Sequence, residues 1–507
     1  MDKTIVRQCL ERGVLPGIDV FDADFTLPTT IPKPVLVITR DALQLMDKPI
    51  DWLQLDRLRS HYEHGRGSGY HEYLHIFKAV SQKDNAAQNI SVQVPFLYTK
   101  EGSKRTVDDF VQLFRQRYIE LERMLRIRPE LHNSVSINRA IRKQSRESVS
   151  IIGMVRDKTE TKNGNIMLTV EDPTGSIKIL INKNRKDLFE SARDVVYDEV
   201  IGIAGVCGNK IVFANDLFWP DVPYGNELKK SSEDAYVVFL SDVHVGSEYF
   251  LEEEFKRFLR WINCKSGTAE QKEIAQKVRY VFIAGDVVDG VGVYPGQEAE
   301  LVIKDIYDQY RIFAQLIAQI PSHIHIIICP GNHDALRLAE PQPVLDKEFA
   351  RPLYNLSNVI LVSNPSLVTI GAQKDFSGFN ILLYHGYSFD DVVANVDSVR
   401  NGGGYRRADL IMKFLLKRRH LAPAQGWTLR IPDAEADPLV IHSVPDFFVT
   451  GHIHYSLVAN YRNITMISGS CWQRTTSFQE KMGHDPEPAR VPVVHLQTRK
   501  VKILKFV

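Results

Sequence analysis

The sequence predicts an α/β protein whose main domain follows a small β-barrel, and three observations support this prediction. From residue 235 onward, short apolar runs alternate with segments of helical spacing, which is the pattern of an α/β fold. Residues 148–217 instead contain five short strand-like runs. The polar, turn-rich stretch GNELKKSSED at 225–234 separates the two patterns and indicates a domain boundary.

Length and composition indicate several globular domains. The chain has 507 residues, of which 44% are apolar and 25% charged, so it can fill more than one core. Its formal net charge of +1 gives no global attraction for nucleic acid, so such contacts must come from local patches or a partner. Five scattered cysteines without a Cys-x-x-Cys pair argue against disulfides and a zinc ribbon, and favour a reducing compartment.

No targeting or membrane segment is predicted. The first thirteen residues, MDKTIVRQCLERG, carry charges throughout and lack the apolar centre of a signal peptide. No apolar run approaches the roughly 18 residues that a transmembrane helix needs. We therefore expect a soluble, cytoplasmic protein without membrane contact.

Residues 1–75 are expected to form a variable, partly helical N-terminal region. Within it, residues 19–34 are acidic and then rich in Pro and Thr, which is typical of a connector, whereas residues 51–64 have helical spacing. A small helical unit and a partner-binding segment both fit this pattern.

Residues 76–145 are predicted to be a helical connector, whose clearest helix lies over 106–131. Thr106 followed by Asp109 is typical of a capping box. An apolar stripe at helical spacing indicates that this helix packs against a core. The stripe consists of Phe110, Phe114, Tyr118, Leu121 and Leu125.

The five strand-like runs lie in a domain that we predict over 146–225. A helical stretch at 184–193 separates the third run from the fourth, and DPTG at 172–175 is typical of a hairpin turn. This is the strand and helix order of an OB-fold barrel. Such barrels often bind single-stranded nucleic acid. Because few aromatic residues lie on these strands, a structural or protein-docking barrel fits equally well.

Potential metal ligands follow the predicted strands of the α/β domain, which we place over 232–507. Any one of these motifs is an ordinary turn, but five strand ends that all carry ligand-type side chains are hard to explain by packing. Open α/β sheets build their sites at the carboxyl ends of strands. The residues are Asp242, His244, Asp286, Asn332, His333, His385, His452 and His454.

These side chains suit a pair of divalent cations. Two cations about 3.5–4 Å apart need a shared anionic bridge, and we predict Asp286 as that bridge. One cation would be completed by Asp242, His244 and His454, and the other by Asn332, His385 and His452. The imidazole, amide and carboxylate ligands suit Mn, Fe, Zn or Ni. Such a pair activates water and holds phosphate oxygens, which predicts phosphoester hydrolysis.

His333 and Asp334 are the predicted catalytic residues. His333 would stand near the leaving oxygen as a proton donor or charge stabiliser, and Asp334 would orient it. The sequence does not identify which residues contact the substrate. Ser247, Tyr249 and Tyr387 lie near the ligands along the chain, and KRRH at 417–420 fits either a phosphate contact or a solvated helix end.

The ligand pattern resembles the calcineurin-like metallophosphoesterase superfamily, which includes the Mre11-type nucleases. This resemblance covers about 235–507 and implies a β-sandwich flanked by helices. Stretches outside the ligand set are also similar to the small subunits of archaeal family D DNA polymerases, over about 105–507. These stretches are residues 107–131, the barrel segment, 294–298, 385–391, 416–423, 437–454 and 481–494.

The second resemblance implies a 3′–5′ exonuclease that proofreads DNA 3′ ends for a large catalytic polymerase subunit. It further implies a heterodimer or heterotetramer, a sliding clamp bound through the holoenzyme, an archaeal, nucleoid-associated location, and Mn²⁺ as favoured metal with Mg²⁺ as a substitute. Since every ligand position matches, we expect an active nuclease. A non-catalytic assembly subunit and a stand-alone phosphodiesterase stay open as alternatives. The barrel favours nucleic acid, whereas the near-zero net charge favours the phosphodiesterase.

Overall fold

The computed structural model describes residues 91–507, apart from 101, 103, 477–478 and 481–484, together with two short strands near the N-terminus. Those strands, Leu15–Pro16 and Val37–Ile38, pair in parallel and belong to a separate unit, Met1–Asn89. The rest forms a second unit, Ile90–Val507. Apart from the two strands, the region predicted to be partly helical over 1–75 lies outside the described residues.

The connector before the barrel contains a strand as well as the predicted helix. Strand β1 (Ser91–Leu97) pairs antiparallel with Ser366–Ala372 of the α/β domain. Its side chains alternate, and Val92 and Val94 pack against the core of that domain. The prediction of a helical connector over 76–145 is therefore wrong at this segment, because the period-two alternation of SVQVPFL is that of a strand.

Helix α1 (Val107–Arg126) confirms the long helix of the connector. The carboxylate of Asp109 accepts hydrogen bonds from the backbone N–H (2.6 Å) and the hydroxyl (3.0 Å) of Thr106, which closes the first turn. The helix buries one face against the barrel through residues such as Leu121 and Leu125. A 3₁₀ turn (Pro129–Leu131) and a short helix, α2 (Ile137–Ile141), lead into the barrel.

Five strands close into a barrel, as the sequence predicts. They are β2 (Ser148–Glu160), β3 (Ile166–Asp172), β4 (Gly175–Ile181), β5 (Val200–Cys207) and β6 (Ile211–Phe218), and they pair in the order β2-β3-β4-β6-β5. Helix α3 (Lys186–Arg193) lies between the third and fourth strands. The DPTG stretch turns the β3–β4 hairpin, in which Asp172 pairs with Gly175. The interior is filled by aliphatic side chains.

Two six-stranded sheets form the remainder of the second unit. The first contains β7 (Tyr236–Leu240), β8 (Val278–Ala284), β9 (His325–Cys329), β10 (Val359–Leu361), β16 (Arg490–His495) and β17 (Val501–Lys505), in the order β10-β9-β8-β7-β16-β17. The second contains β1, β11 (Ser366–Ala372), β12 (Phe379–Leu383), β13 (Phe447–Thr450), β14 (Leu457–Tyr461) and β15 (Ile464–Ser468), in the order β14-β15-β13-β12-β11-β1. Strands β7 to β10 are mutually parallel, as are β12, β13 and β15.

The two sheets pack face to face, and the alternation of side chains along each strand explains why. On β7, Val237 and Phe239 point into the core between the sheets, whereas Val238 and Leu240 point outward to a second core. The ring of Phe239 lies 6.0 Å from that of Phe447 on the opposing sheet. Both faces of the inner strands are thus buried, which accounts for their continuous apolar runs.

Helices cover the outer faces of the sandwich. Helices α4 (Glu252–Ile262), α5 (Ala269–Gln276), α6 (Ile306–Ile317) and α7 (Lys347–Tyr354) pack on the first sheet. Helices α8 (Phe389–Asn395), α9 (Asp397–Asn401) and α10 (Ala408–Arg418) pack on the second. Within the part of the chain that the structure describes, no helix has the length and apolar character needed to cross a bilayer.

The barrel is attached to the α/β domain by buried charged groups at the end of α10. The Arg418 Nε atom lies 2.5 Å from Glu199 Oε2 of the barrel, and both side chains are at most 3% exposed. The Lys417 ammonium lies 3.8 Å from the centre of the Trp219 ring. The KRRH stretch therefore forms neither a phosphate contact nor a solvated helix end, because its charges are used within the protein.

Replacing Arg418 with Ala should destabilise the protein, because it leaves Glu199 buried without its partner. The expected loss in the free energy of unfolding is about 3–5 kcal/mol, measured by chemical denaturation followed by tryptophan fluorescence. Lys413→Ala, on the exposed side of the same helix, is the matched control, with an expected change below about 0.5 kcal/mol. Equal effects of the two substitutions would contradict this role of the ion pair.

Glu120 on α1 should make stability depend on pH. Burial, and then the charge of Asp437, raises the pKa of Glu120 from its ordinary 4.5 to about 8. Because the folded protein keeps a proton that the unfolded chain has lost, the free energy of unfolding should fall as pH rises between these two values. In Glu120→Gln, the free energy of unfolding should decrease less over this pH range than in the wild type, as measured by chemical denaturation at each pH.

The control for this experiment is Glu130→Gln, since Glu130 is exposed in the 3₁₀ turn that follows the same helix. It should retain the wild-type slope of stability against pH. A Glu120→Gln variant with that same slope would show that Glu120 is ionised in the folded protein.

Candidate metal centre

The ligand-type side chains meet at one edge of the sandwich, where parallel strands end. Asp242 and His244 follow β7, Asp286 follows β8, and Asn332 follows β9. From the second sheet, His385 follows β12, and His452 and His454 follow β13. The carboxyl ends of parallel strands share an edge, so the topology brings together residues far apart in the chain.

The loops that carry these residues have an unusual backbone. Five of the residues have positive φ angles between 50° and 70°, namely Asp242, His244, Asp286, His452 and His454. Each such conformation costs about 1–3 kcal/mol in a residue other than glycine, and these conformations cluster at functional sites. The neighbouring glycines permit close contact, since a Cβ on Gly331 would lie 2.2 Å from Asp286 Oδ1.

One cluster of ligand atoms is formed by Asp242, His244 and His454, all of which are buried. The Nε2 atoms of the two histidines are 3.1 Å apart, and His454 Nε2 is 3.3 Å from Asp242 Oδ1. The other ring nitrogen of His244 lies 3.1 Å from the carboxylate of Asp289, to which it donates. The Nε2 lone pair of His244 therefore points into the cluster.

A second cluster is formed by Asp286, Asn332, His385 and His452. The Nε2 atom of His385 lies 3.2 Å from Asp286 Oδ2 and 2.9 Å from Asn332 Oδ1, and His452 Nδ1 lies 3.0 Å from the same amide oxygen. The Nδ1 atom of His385 donates to the carbonyl oxygen of Ala284 at 2.7 Å, which directs the Nε2 atom into the cluster.

Asp286 stands between the two clusters. Its Oδ2 atom, 3.2 Å from His385 Nε2, is 3.9 Å from His244 Nε2 of the first cluster. Its other oxygen accepts a hydrogen bond from the backbone N–H of His333 at 2.8 Å. Asp286 therefore lies within 4 Å of a histidine of each cluster, as the predicted bridging carboxylate should.

The site concentrates negative charge in a buried place. Although burial favours the neutral acid, His385 and His333 hold the pKa of Asp286 well below its usual value. Burial likewise opposes ionisation of Asp242, but His454 lowers the pKa of this residue. Burial would lower the pKa of His385, yet Asp286 raises it to about 10. The two carboxylates therefore require positive charge beside them.

His333 is held by a neighbour that the sequence analysis did not identify. Its Nδ1 atom donates to the backbone carbonyl of Asp289 at 2.8 Å. Asp334, expected to orient His333, instead accepts hydrogen bonds from Gly331 N–H (2.8 Å) and the Tyr310 hydroxyl (3.1 Å). Asp334 therefore fixes the PGNHD turn, and Asp289 orients His333 with its carbonyl and His244 with its side chain.

Two acidic residues that support the candidate ligands were missed. Asp289 lies in the stretch GDVVDG at 285–290, three residues after Asp286, and its spacing within one loop was the available signal. Asp390 accepts a hydrogen bond from His452 Nε2 at 2.9 Å. It lies in HGYSFDD at 385–391, where the pair of adjacent aspartates gives no sign of which one reaches the site.

The three suggested neighbours of the substrate differ in their positions. Ser247 is buried, and its hydroxyl accepts a hydrogen bond from the side chain of Gln473 at 3.0 Å. The half-buried ring of Tyr387 stands edge-on to His452, with 5.7 Å between ring centres. Tyr249 is also half-buried. Two of the three therefore contact candidate ligands, since the backbone N–H of Ser247 also donates to the carbonyl oxygen of His244 at 3.3 Å.

The donor set fits divalent cations. Imidazole nitrogens, carboxylate oxygens and an amide oxygen are ligands of intermediate to hard character, which Mn, Fe, Zn and Ni accept. Their ligand atoms lie in two adjacent clusters, and Asp286 Oδ2 is 3.2 Å from His385 of one cluster and 3.9 Å from His244 of the other. With two cations so placed, the arrangement is suited to binding a phosphate group and hydrolysing its ester.

The sequence matches a family of replication proteins. The family model for the B subunit of DNA polymerases alpha and epsilon matches residues 237–457. Among solved structures, an archaeal phosphodiesterase shares 11% identity with the chain, over 53% of this chain and 98% of that one, with a TM-score of 0.26. A similarity at that level is too low to inform the function.

Curated relatives match most of the chain, and each is named DNA polymerase II small subunit. The protein from Methanothermobacter thermautotrophicus is 40% identical over 400 residues, covering 79% of this chain and 80% of the relative. The Pyrococcus furiosus protein is 39% identical over 424 residues, covering 83% and 67% respectively. The Archaeoglobus fulgidus protein is 41% identical over 396 residues, covering 78% and 76%. The chain belongs to the family of archaeal DNA polymerase II small subunits.

Proposed function

We propose that the chain is the 3′–5′ proofreading exonuclease subunit of a family D DNA polymerase, and that it hydrolyses phosphodiesters with two divalent metal ions. The observation that carries this proposal is the pair of ligand clusters joined at Asp286. Family membership supports a role within a DNA polymerase, because the relatives are named as small subunits of such an enzyme. The substrate would be the 3′ end of a DNA strand.

The fold assignments form part of the proposal. The two-sheet sandwich over 232–507, with helices on both outer faces, is taken as a metallophosphoesterase domain. The barrel over 146–225 is taken as an OB fold, supported by its strand order and by the place of α3 between the third and fourth strands. The boundary proposed between them falls within the turn-rich stretch at 225–234.

Seven residues would hold the two metal ions. Asp242, His244 and His454 would bind one ion, Asn332, His385 and His452 the other, and Asp286 both. When bound, the ions would activate a water molecule and neutralise charge on the phosphate. Mn²⁺ is the proposed metal, and Mg²⁺, Fe, Zn or Ni are chemically compatible with the same donors.

His333 would act on the oxygen that leaves the phosphorus. Its Nδ1 proton is committed to the Asp289 carbonyl, so Nε2 is the atom that can give or take a proton. Asp334 would contribute indirectly, since it holds the turn on which His333 stands. This division makes His333 the catalytic residue and both Asp289 and Asp334 positioning residues.

We further propose that the chain assembles with a large catalytic subunit, as the name of the relatives suggests, in a heterodimer or heterotetramer. Contact with a sliding clamp would then occur through this holoenzyme, in the archaeal cytoplasm near the nucleoid. The net charge of +1 supports a partner that supplies part of the basic surface for DNA.

The metal assignment predicts the ion content of purified variants. After dialysis against Mn²⁺, the wild-type chain should hold two ions, measured by elemental mass spectrometry. Asp286→Asn should hold almost none, because both ions lose their shared carboxylate, whereas His454→Gln should keep one. At an ion concentration 100 times its dissociation constant, binding should stabilise the wild type by about 2.7 kcal/mol per ion.

Asp308→Asn is the control for these measurements, since Asp308 is an exposed partner of Arg311 on α6. It should retain both ions and the stabilisation by Mn²⁺. Thermal unfolding in chelator establishes that each variant is folded. Full ion content in Asp286→Asn would contradict the bridging role.

The catalytic assignment predicts a specific loss in a nuclease assay. A 5′-labelled, mismatched primer on a template should shorten from its 3′ end in Mn²⁺, and chelator should stop the reaction. His333→Ala should lower the rate about 10²–10⁴-fold, as expected for loss of a proton-transfer group. Its ion content should stay at two, because His333 is outside the proposed ligand set.

His323→Ala, which removes an exposed histidine on the loop before β9, is the matched control and should cut at the wild-type rate. Cleavage that appears only after the large subunit is added would support the catalytic assignment. It would also indicate that the large subunit provides much of the DNA-binding surface. No cleavage under either condition would reject the exonuclease and favour an assembly subunit without catalysis.

A further inference from the structure

A cavity of about 610 Å³ adjoins the candidate metal centre. Its wall includes the glycine-rich stretch GGGYRR at 402–407, together with Arg400, Tyr455 and Asp485. Ile453, between the two candidate ligands of the GHIH loop, also lines it. The cavity is of the size that proteins use for small ligands such as a nucleotide.

One wall residue is connected to a candidate metal ligand by hydrogen bonds. The hydroxyl of Tyr405 donates to Asp390 Oδ1 at 2.9 Å, and the other oxygen of Asp390 lies 2.9 Å from His452 Nε2. The cavity and the metal centre are therefore parts of one hydrogen-bonded arrangement, with a single carboxylate between them.

The glycines give the cavity a wall of bare backbone. Gly403 and Gly404 have φ angles of 125° and 56°, which favour glycine, and a Cβ on Gly402 would lie 2.6 Å from the carbonyl oxygen of Ser398. These glycines thus allow the tight turn that places residues 402–403 exposed in the wall of the cavity.

Three arginines supply cationic donors around this wall. Arg400, Arg406 and Arg407 are 49%, 68% and 47% exposed, and each pairs with one aspartate. Exposed ion pairs of this kind are weak, because solvent screens the two charges. A guanidinium has five N–H donors, and one carboxylate occupies two at most, so a phosphate can share or replace the aspartate.

Two aromatic rings complete the cavity. Tyr405 and Tyr455 are both half-buried lining residues. Aromatic rings beside cationic groups are the combination with which proteins hold single-stranded nucleic acid, since bases stack on the rings while the cations hold the backbone. The cavity therefore combines phosphate donors with stacking surfaces next to the candidate metal centre.

We propose that this cavity binds the backbone of a single DNA strand, with Arg400 and Arg406 on its phosphates, and so guides the strand into the metal centre. This inference rests on the proposed nuclease function, because the metal centre is where the bound strand would be cleaved. Binding itself requires no metal ion, so it can be measured without cleavage.

The test uses the full chain in chelator and a 5′-fluorescein-labelled oligothymidylate, with fluorescence anisotropy read over a range of salt concentrations. Substituting both Arg400→Gln and Arg406→Gln should weaken binding at least tenfold at low salt. It should also lower the slope of log K against log salt by about 0.7 for each lost phosphate contact.

The matched control is the double substitution Arg257→Gln and Arg311→Gln. These arginines are 47% and 50% exposed, and each pairs with one acidic residue on a helix that covers the first sheet. The control should bind as the wild type does. Equal binding by the two double variants, or no binding by the wild type, would overturn the inference.

The binding result and the nuclease result are separable. Loss of binding in the Arg400 and Arg406 variant, without any cleavage by the wild type, would overturn the proposed function but leave a single-strand site. Metal-dependent cleavage with unchanged binding in that variant would overturn this inference and keep the proposed function.

Discussion

Two buried carboxylates, Asp242 and Asp286, impose the constraint on which the rest of the candidate site depends. A buried, ionised carboxylate is stable only when cations or hydrogen-bond donors surround it. Here the surroundings are histidines from four separate loops, and the chain brings them together only because parallel strands of two sheets end at one edge. The sandwich therefore holds buried carboxylates and imidazoles together at one edge.

A further set of contacts fixes the direction of each ligand. The Ala284 carbonyl holds His385, Asp289 holds His244, and Asp390 holds His452. Such contacts set which ring nitrogen carries the lone pair, and they typically change metal affinity 10–100-fold when removed. The strained φ angles of five ligand-type residues are compatible with this account, since strain persists only where the surroundings over-determine the backbone.

The sequence was most informative where one physical signal dominated. Continuous apolar runs identified the buried strands, such as β7 and β8, and their polar ends identified the candidate ligands. Strand β1 was missed because its alternation spans only seven residues, beside the much longer pattern of helix α1. The KRRH stretch was misjudged because charge alone does not show burial beside Glu199 and Trp219. Asp289 and Asp390 could not be ranked, since tertiary contacts select among neighbouring aspartates.

The central claim is that two cations lie side by side at this edge of the sandwich, bridged by Asp286. Anomalous diffraction from crystals of the protein grown with Mn²⁺ tests it most directly. The account predicts two manganese peaks about 3.5–4 Å apart, one beside Asp242, His244 and His454 and the other beside Asn332, His385 and His452. A single peak, or peaks remote from Asp286, would contradict it.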